Sequence, residues 1–139
     1  MFKDMLAKDP VLGKAGIKVS SAGTKTSDLY SMTEETIAVM KERGLNIESH
    51  NSRPTTSKLL HNSDLILTME HGQRLSILAS YPRLEDRTFV LSEYAGGSGD
   101  LIDPVGGTID LYRAYTQKVE TYLGAILAKL KEGIKELGA

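Results

Sequence analysis

The residues best placed to do chemistry are Asp103-Pro104-Val105-Gly106-Gly107-Thr108. Proline pushes the residue before it into extended geometry, so Pro104 fixes the backbone that aims the Asp103 carboxyl. Gly106 and Gly107 leave space beside it. An acid held this way, ahead of a long helix, is built to hand a proton to a leaving group. General acid catalysis of that kind is worth ~10²–10⁴-fold when correctly placed. Read locally, the same hexapeptide is also turn punctuation with an Asp in front of a helix. No partner for the acid is visible: the chain has no cysteine, and no other residue stands beside Asp103 as a strong nucleophile.

The remaining candidates are weaker. His50 and Arg53 lie in a polar loop segment, Ser49-His50-Asn51-Ser52-Arg53. His61 and His71 could be imagined as metal ligands with Asp64, but they sit on separate elements and lack a recognised ligand spacing, so no metal is expected. The stretch Gly96-Gly97-Ser98-Gly99 reads as a flexible connection. It is not a nucleotide loop, because Gly-x-x-x-x-Gly-Lys is absent, and no cofactor is expected. Tyr112, Tyr115 and Tyr122 follow a helical stripe and read as packing residues.

The elements that must position Asp103 follow an α/β order. Residues 2–8 read as a helix with Phe2, Met5 and Leu6 on one face and no capping residue ahead of it, closed by Asp9-Pro10. Residues 17–20, Ile-Lys-Val-Ser, read as a short strand. Ser31-x-x-Glu34 has the form of a capping box for a helix carrying Ile37, Met40 and Lys41, stopped by Gly44. Thr55 or Thr56 caps a helix containing Leu59 and Leu60. The run Leu65-Ile66-Leu67-Thr68-Met69 suits a strand covered on both faces. A helix over 71–81 ends at Pro82, and Thr88-Phe89-Val90-Leu91 reads as a third strand. Thr108 caps the last helix, whose apolar stripe runs through Ile109, Tyr112, Tyr115, Val119, Tyr122, Leu123, Ile126, Leu130, Ile134 and Leu137. Strand–helix alternation predicts a parallel sheet between helical layers. Ligands in such folds bind beyond the carboxyl ends of the strands. Residues 21–24, Glu70 with His71, and residues 93–107 gather at that edge. The crossover from 21 to 64 is long and three strands make a narrow sheet, where ~4–6 are usual. Both point to an empty slot among the strands.

The whole chain, 139 residues with 40% hydrophobic and 25% charged content, suits a single domain over 1–139. A net charge of −1 provides no field toward nucleic acid or anionic lipid, so neither is an expected partner. No apolar stretch approaches a membrane span and the N-terminus lacks a signal-peptide pattern, which makes the cytoplasm the expected location. Zero cysteine excludes disulfides, zinc thiolates and thiol catalysis within this chain.

An ordered set of segments resembles the low-molecular-weight protein-tyrosine phosphatases. They are Ser-Ala-Gly-Thr at 21–24, Glu-x-x-Ile-Ala-Val-Met-Lys-Glu-Arg-Gly ending at 44, Ser-His-x-Ser-Arg at 49–53, Asp-Leu-Ile-Leu-Thr-Met at 64–69, Glu-Tyr-Ala-Gly-Gly at 93–97 and Asp-Pro-x-Gly-Gly-Thr at 103–108. The resemblance covers essentially the whole chain. It implies a three-layer αβα fold with a parallel sheet. It implies that Asp103 protonates the leaving atom, supported by Pro104, while a cysteine takes the phosphoryl group, and that His50 braces the phosphate loop. It implies a phosphoprotein substrate. Family members open with a buried strand and a Cys-x-x-x-x-x-Arg-Ser loop that this chain does not contain. Met1-Phe2-Lys3-Asp4-Met5-Leu6 looks like the tail of the helix that follows that loop. The chain is therefore expected to be an N-terminally truncated member with its first central strand missing, between 17–20 and 65–69. Val105 and Gly106 stand where tyrosine-directed members carry aromatics, and the Asp-Pro-x-Gly-Gly-Thr form resembles the bacterial branch that includes protein-arginine phosphatases.

Three functions compete. One is a phosphatase-family chain that is inactive as written. Another is a non-catalytic binding module on the same scaffold. The third, arsenate reduction, needs several cysteines and has none. Loss of a central strand removes apolar burial comparable with the whole stability of a domain, ~5–15 kcal/mol, and opens strand edges. The isolated chain is accordingly expected to be marginal, collapsed or self-associating.

Overall fold

A computed structural model of the chain describes residues 1–22, 34–45, 54–102, 104 and 107–138, apart from the side chains of 34–36 and 134–138. In chain order the elements are helix α1 (Phe2–Lys8), a 3-10 turn (Leu12–Lys14), helix α2 (Glu34–Glu42), helix α3 (Ser57–His61), strand β1 (Ile66–Thr68), helix α4 (His71–Ser80), a second 3-10 turn (Pro82–Arg87), strand β2 (Thr88–Val90), the single turn α5 (Leu91–Tyr94) and helix α6 (Ile109–Gly138).

Local chemistry explains most of the boundaries. The Asp9 carboxylate accepts hydrogen bonds from the Val11 and Leu12 amides (2.9 and 3.0 Å) and thereby turns the chain out of α1. Its other oxygen meets Lys131 Nζ at 3.0 Å, which ties this corner to α6. At the end of α2, Gly44 takes φ 77°, the left-handed conformation that glycine adopts at little cost. The Leu45 and Gly44 amides then donate to the Met40 and Lys41 carbonyls (2.9 and 3.0 Å), which closes the helix. Thr56 is the residue that caps α3, its hydroxyl accepting from the Leu59 amide at 3.1 Å. A capping box between Glu70 and Gln73 opens α4.

The sheet is a parallel pair with Ile66 opposite Thr88, Leu67 opposite Phe89 and Thr68 opposite Val90. The crossover between the strands is α4 and the 3-10 turn after it. Ile66 packs with Leu60, Ile77 and Leu84 on the face that α3 and α4 cover. Leu67 and Met69 pack on the opposite face with Leu91, Leu101, Leu123 and Ile126, joined by Phe2 and Met5 of α1. Helices therefore cover both faces of a parallel sheet, the αβα arrangement. Val39 and Met40 of α2 bury against Tyr112 of α6. Val39, fully buried, is the main contact of α2, a position that the sequence reading passed over in favour of Ile37 and Lys41.

Residues 17–20 are a correction: they form no strand. Ile17 is 36% exposed, and no ladder joins this stretch to β1. A β-branched composition favours extended backbone, but a strand exists only through hydrogen bonds to a neighbour. Among the described residues the sheet consists of β1 and β2 alone, and the stretch at 17–20 makes no such bonds to either.

Candidate functional site

The carboxyl ends of β1 and β2 lie side by side, and the connection from α5 to α6 runs across them. This connection is tied down at successive points. The Gly97 amide donates to the Ser92 carbonyl at 2.8 Å, and the Ser92 hydroxyl donates to the Gly99 carbonyl at 2.5 Å. Gly96 and Gly99 take φ 92° and 90° and make the two reversals possible. The Leu101 amide donates to the Met69 carbonyl at 2.8 Å, directly after β1, and the Leu101 side chain is buried in the core. Residues 96–99 thus form a shaped turn and not the flexible connection expected from their composition.

On the far side of the site, the Gly107 amide donates to the Pro104 carbonyl at 2.7 Å. The Thr108 hydroxyl accepts from the Leu111 amide at 3.3 Å and caps α6. A Cβ on Gly107 would stand 2.9 Å from both the Pro104 carbonyl oxygen and Leu111 Cδ1, so this turn requires glycine. Between the anchors at Leu101 and Pro104, Ile102 is 69% exposed. Asp103 lies in that span but is itself outside the described residues, as are His50, Arg53, Val105 and Gly106.

One charged cluster at this edge was not anticipated. His71, the first residue of α4, donates its backbone N–H to Asp100 Oδ1 at 2.8 Å. Its ring Nδ1 meets the same oxygen, and its Nε2 meets Glu93 Oε1. Both ring nitrogens thus face carboxylate oxygens, which is the environment of a doubly protonated imidazolium. The hydrogen bond to Asp100, then that to Glu93, holds the His71 pKa above the ordinary imidazole range. The backbone N–H of His71, then its ring, holds Asp100 below the usual carboxylate range. These groups are 22 and 29 residues apart along the chain, so no local spacing connects them. The clue available was the strand order, which brings the segment around His71 and the segment around Glu93 to one edge.

His61 is elsewhere: its Nδ1 lies 2.8 Å from the Ser57 carbonyl and its ring stands edge-on to Tyr81 at 5.4 Å. Among the described residues no group of three His, Asp or Glu side chains is arranged to hold a metal ion. No described helix is long and apolar enough to cross a membrane. Tyr112 is buried, and Tyr115 and Tyr122 pack on the cluster beneath α6, as their helical spacing predicted.

The sequence description of the low molecular weight phosphotyrosine protein phosphatases matches residues 1–136. The chain belongs to that family. It is 33% identical over 133 residues to the protein-arginine-phosphatase of Bacillus subtilis, covering 95% of this chain and 85% of that one. It is 33% identical over 112 residues to the low molecular weight protein-tyrosine-phosphatase PtpB of Staphylococcus haemolyticus, covering 78% of this chain and 76% of that one. The solved structure of the YwlE arginine phosphatase from Geobacillus stearothermophilus superimposes with a TM-score of 0.82 at 30% identity, over 87% of this chain and 79% of that one. The fold and the family read from the ordered segments therefore hold.

Proposed function

We propose that this chain carries the proton-donating half of a protein phosphatase site and, by itself, hydrolyses nothing. The observation behind this reading is a pairing of opposites. The segment that bears Asp103 is anchored on both sides, at Leu101 and at the Pro104–Gly107 turn, while the chain contains no cysteine. In the family reaction a cysteine thiolate attacks phosphorus, the bond from phosphorus to the leaving atom breaks, and an acid delivers its proton to that atom. Water then releases phosphate from the cysteinyl-phosphate. Asp103 is the acid and Pro104 sets its backbone. His50 is the brace for the phosphate loop. The nucleophile and the phosphate-binding arginine of that reaction belong to a strand and loop that these 139 residues do not include.

The substrate class is a phosphorylated protein side chain, with phosphoarginine ahead of phosphotyrosine. Val105 and Gly106 supply no aromatic to flank a phenyl ring, and two of the similar proteins are arginine phosphatases by name. In phosphoarginine the leaving atom is a guanidinium nitrogen, which needs a proton as the bond to phosphorus breaks. The reaction belongs in the cytoplasm.

The test is to supply the missing part. The family strand and Cys-x-x-x-x-x-Arg loop are joined ahead of Met1, and phosphate release is measured from a phosphoarginine peptide and a phosphotyrosine peptide. Release is expected, with arginine preferred, and Asp103→Asn should lower kcat by roughly 10²–10⁴-fold. A folded, extended protein that releases no phosphate, or one indifferent to Asp103→Asn, contradicts the reading.

A further inference from the structure

We propose that His71 is a positioning residue, a latch whose ring, held between Asp100 and Glu93, fastens the segment leading to Asp103 onto the first turn of α4. The proposal rests on the phosphatase reading only for the purpose of the latch, not for its existence. Asp100 precedes Asp103 by three positions in the chain. Its single oxygen Oδ1 receives both the backbone N–H and the ring of His71. The opposite ring nitrogen reaches Glu93 on α5, the turn from which the segment departs. One side chain therefore grips the segment at its root and just before its tip, while the Leu101 amide fixes the point between Asp100 and Asp103 to the end of β1.

Among the described residues, the neighbouring charges on α4 leave the ring to these two partners. Glu70 and Gln73 satisfy each other's backbone in the capping box, and Arg74 Nε turns away to the Thr88 carbonyl at 2.8 Å. The position works against a cation in one respect, since the amino end of a helix repels positive charge. Two carboxylates outweigh that repulsion, and His71 is accordingly shifted upward. The sign of the pH effect follows. A folded-state pKa raised above the unfolded one gives a contribution complete below the unfolded imidazole value, ~6.5, and lost as pH rises through the folded value. The latch is closed below the unfolded imidazole value and opens as pH rises through the higher folded value. His71 and Glu93 are 48% and 51% exposed, so the latch is weak enough to release without unfolding the protein.

No catalytic activity is needed for the test, so the chain itself serves. The imidazole resonances of His71 are followed by NMR from about pH 5 to about pH 9, with amide-exchange protection at Gly97 and Leu101 recorded in the same samples. His71 is expected to titrate above ~6.5, and protection at Leu101 to fall roughly two- to five-fold across that titration. Asp100→Asn should lower the His71 midpoint more than Glu93→Gln does. His71→Gln should give the alkaline level of protection at every pH. A wild-type His71 that titrates at or below ~6.5, folded or not, overturns the proposal. So does Leu101 protection that ignores both the titration and His71→Gln. These readouts are separate from phosphate release: a failed latch leaves the phosphatase reading standing, and an intact latch in an extended protein that releases no phosphate removes only that reading.

Discussion

Gly97 shows how a single absent side chain shapes the site. A Cβ there would lie 2.6 Å from Tyr122 Cε1 and 2.9 Å from the Tyr122 hydroxyl oxygen. Real side chains do not approach so closely, so the turn at 96–99 depends on glycine to let the tyrosine ring lie beneath it. The Tyr122 hydroxyl in turn reaches the Ser98 carbonyl at 3.5 Å, and its ring packs with Leu123 and Ile126 in the core. Gly97→Ala must displace either that ring or the turn. It is expected to cost about 1–3 kcal/mol in a urea titration, the usual range for overpacking, and to weaken amide protection at residue 97 and at Leu101. Indifference of both readouts would mean that the turn is not seated on Tyr122. At this scale the sequence was partly readable. Pro104, Gly107 and Thr108 announce their turn and cap through their own chemistry. His71 does not, because its partners are reached only through the tertiary fold.

Helix α6 is the element on which the site rests. It caps at Thr108, immediately after the Asp-Pro turn, and lays Leu123 and Ile126 under the end of β1. Arg113 ties it to Glu42 of α2 at 2.8 Å, and Arg43, directly after α2, reaches Glu120 at 3.1 Å. Those pairs are at least partly exposed and contribute little compared with the apolar stripe. Ile126 has no exposed surface, so Ile126→Ala is expected to cost about 2–5 kcal/mol, read from the shift in the denaturation midpoint. A loss below about 1 kcal/mol would show that the stripe is not packed as described. This helix, the Thr56 cap and the Gly44 stop were legible because periodicity and capping are local. Residues 17–20 were misread for the converse reason: their composition is that of a strand, but pairing is decided by what lies alongside. The burial of Val39 was missed because the pattern of a short helix does not reveal how wide a face its neighbour covers: Val39 and Met40 both pack with Tyr112.

At the scale of the molecule, the sheet and the site share one consequence. β1 is paired along a single edge among the described residues, and an unpaired edge invites a strand from another chain. Sedimentation velocity over a range of concentrations should therefore show self-association, whereas a strictly monomeric chain with a sharp, reversible thermal transition would mean that the edge is protected. The helical layers and the parallel pair are those of the low molecular weight phosphatase family, and the 139 residues hold no cysteine. The most direct measurement is phosphate release from p-nitrophenyl phosphate and from a phosphoarginine peptide by the purified chain alone. The account predicts no release above buffer. Turnover that persists through purification and disappears on Asp103→Asn would contradict it.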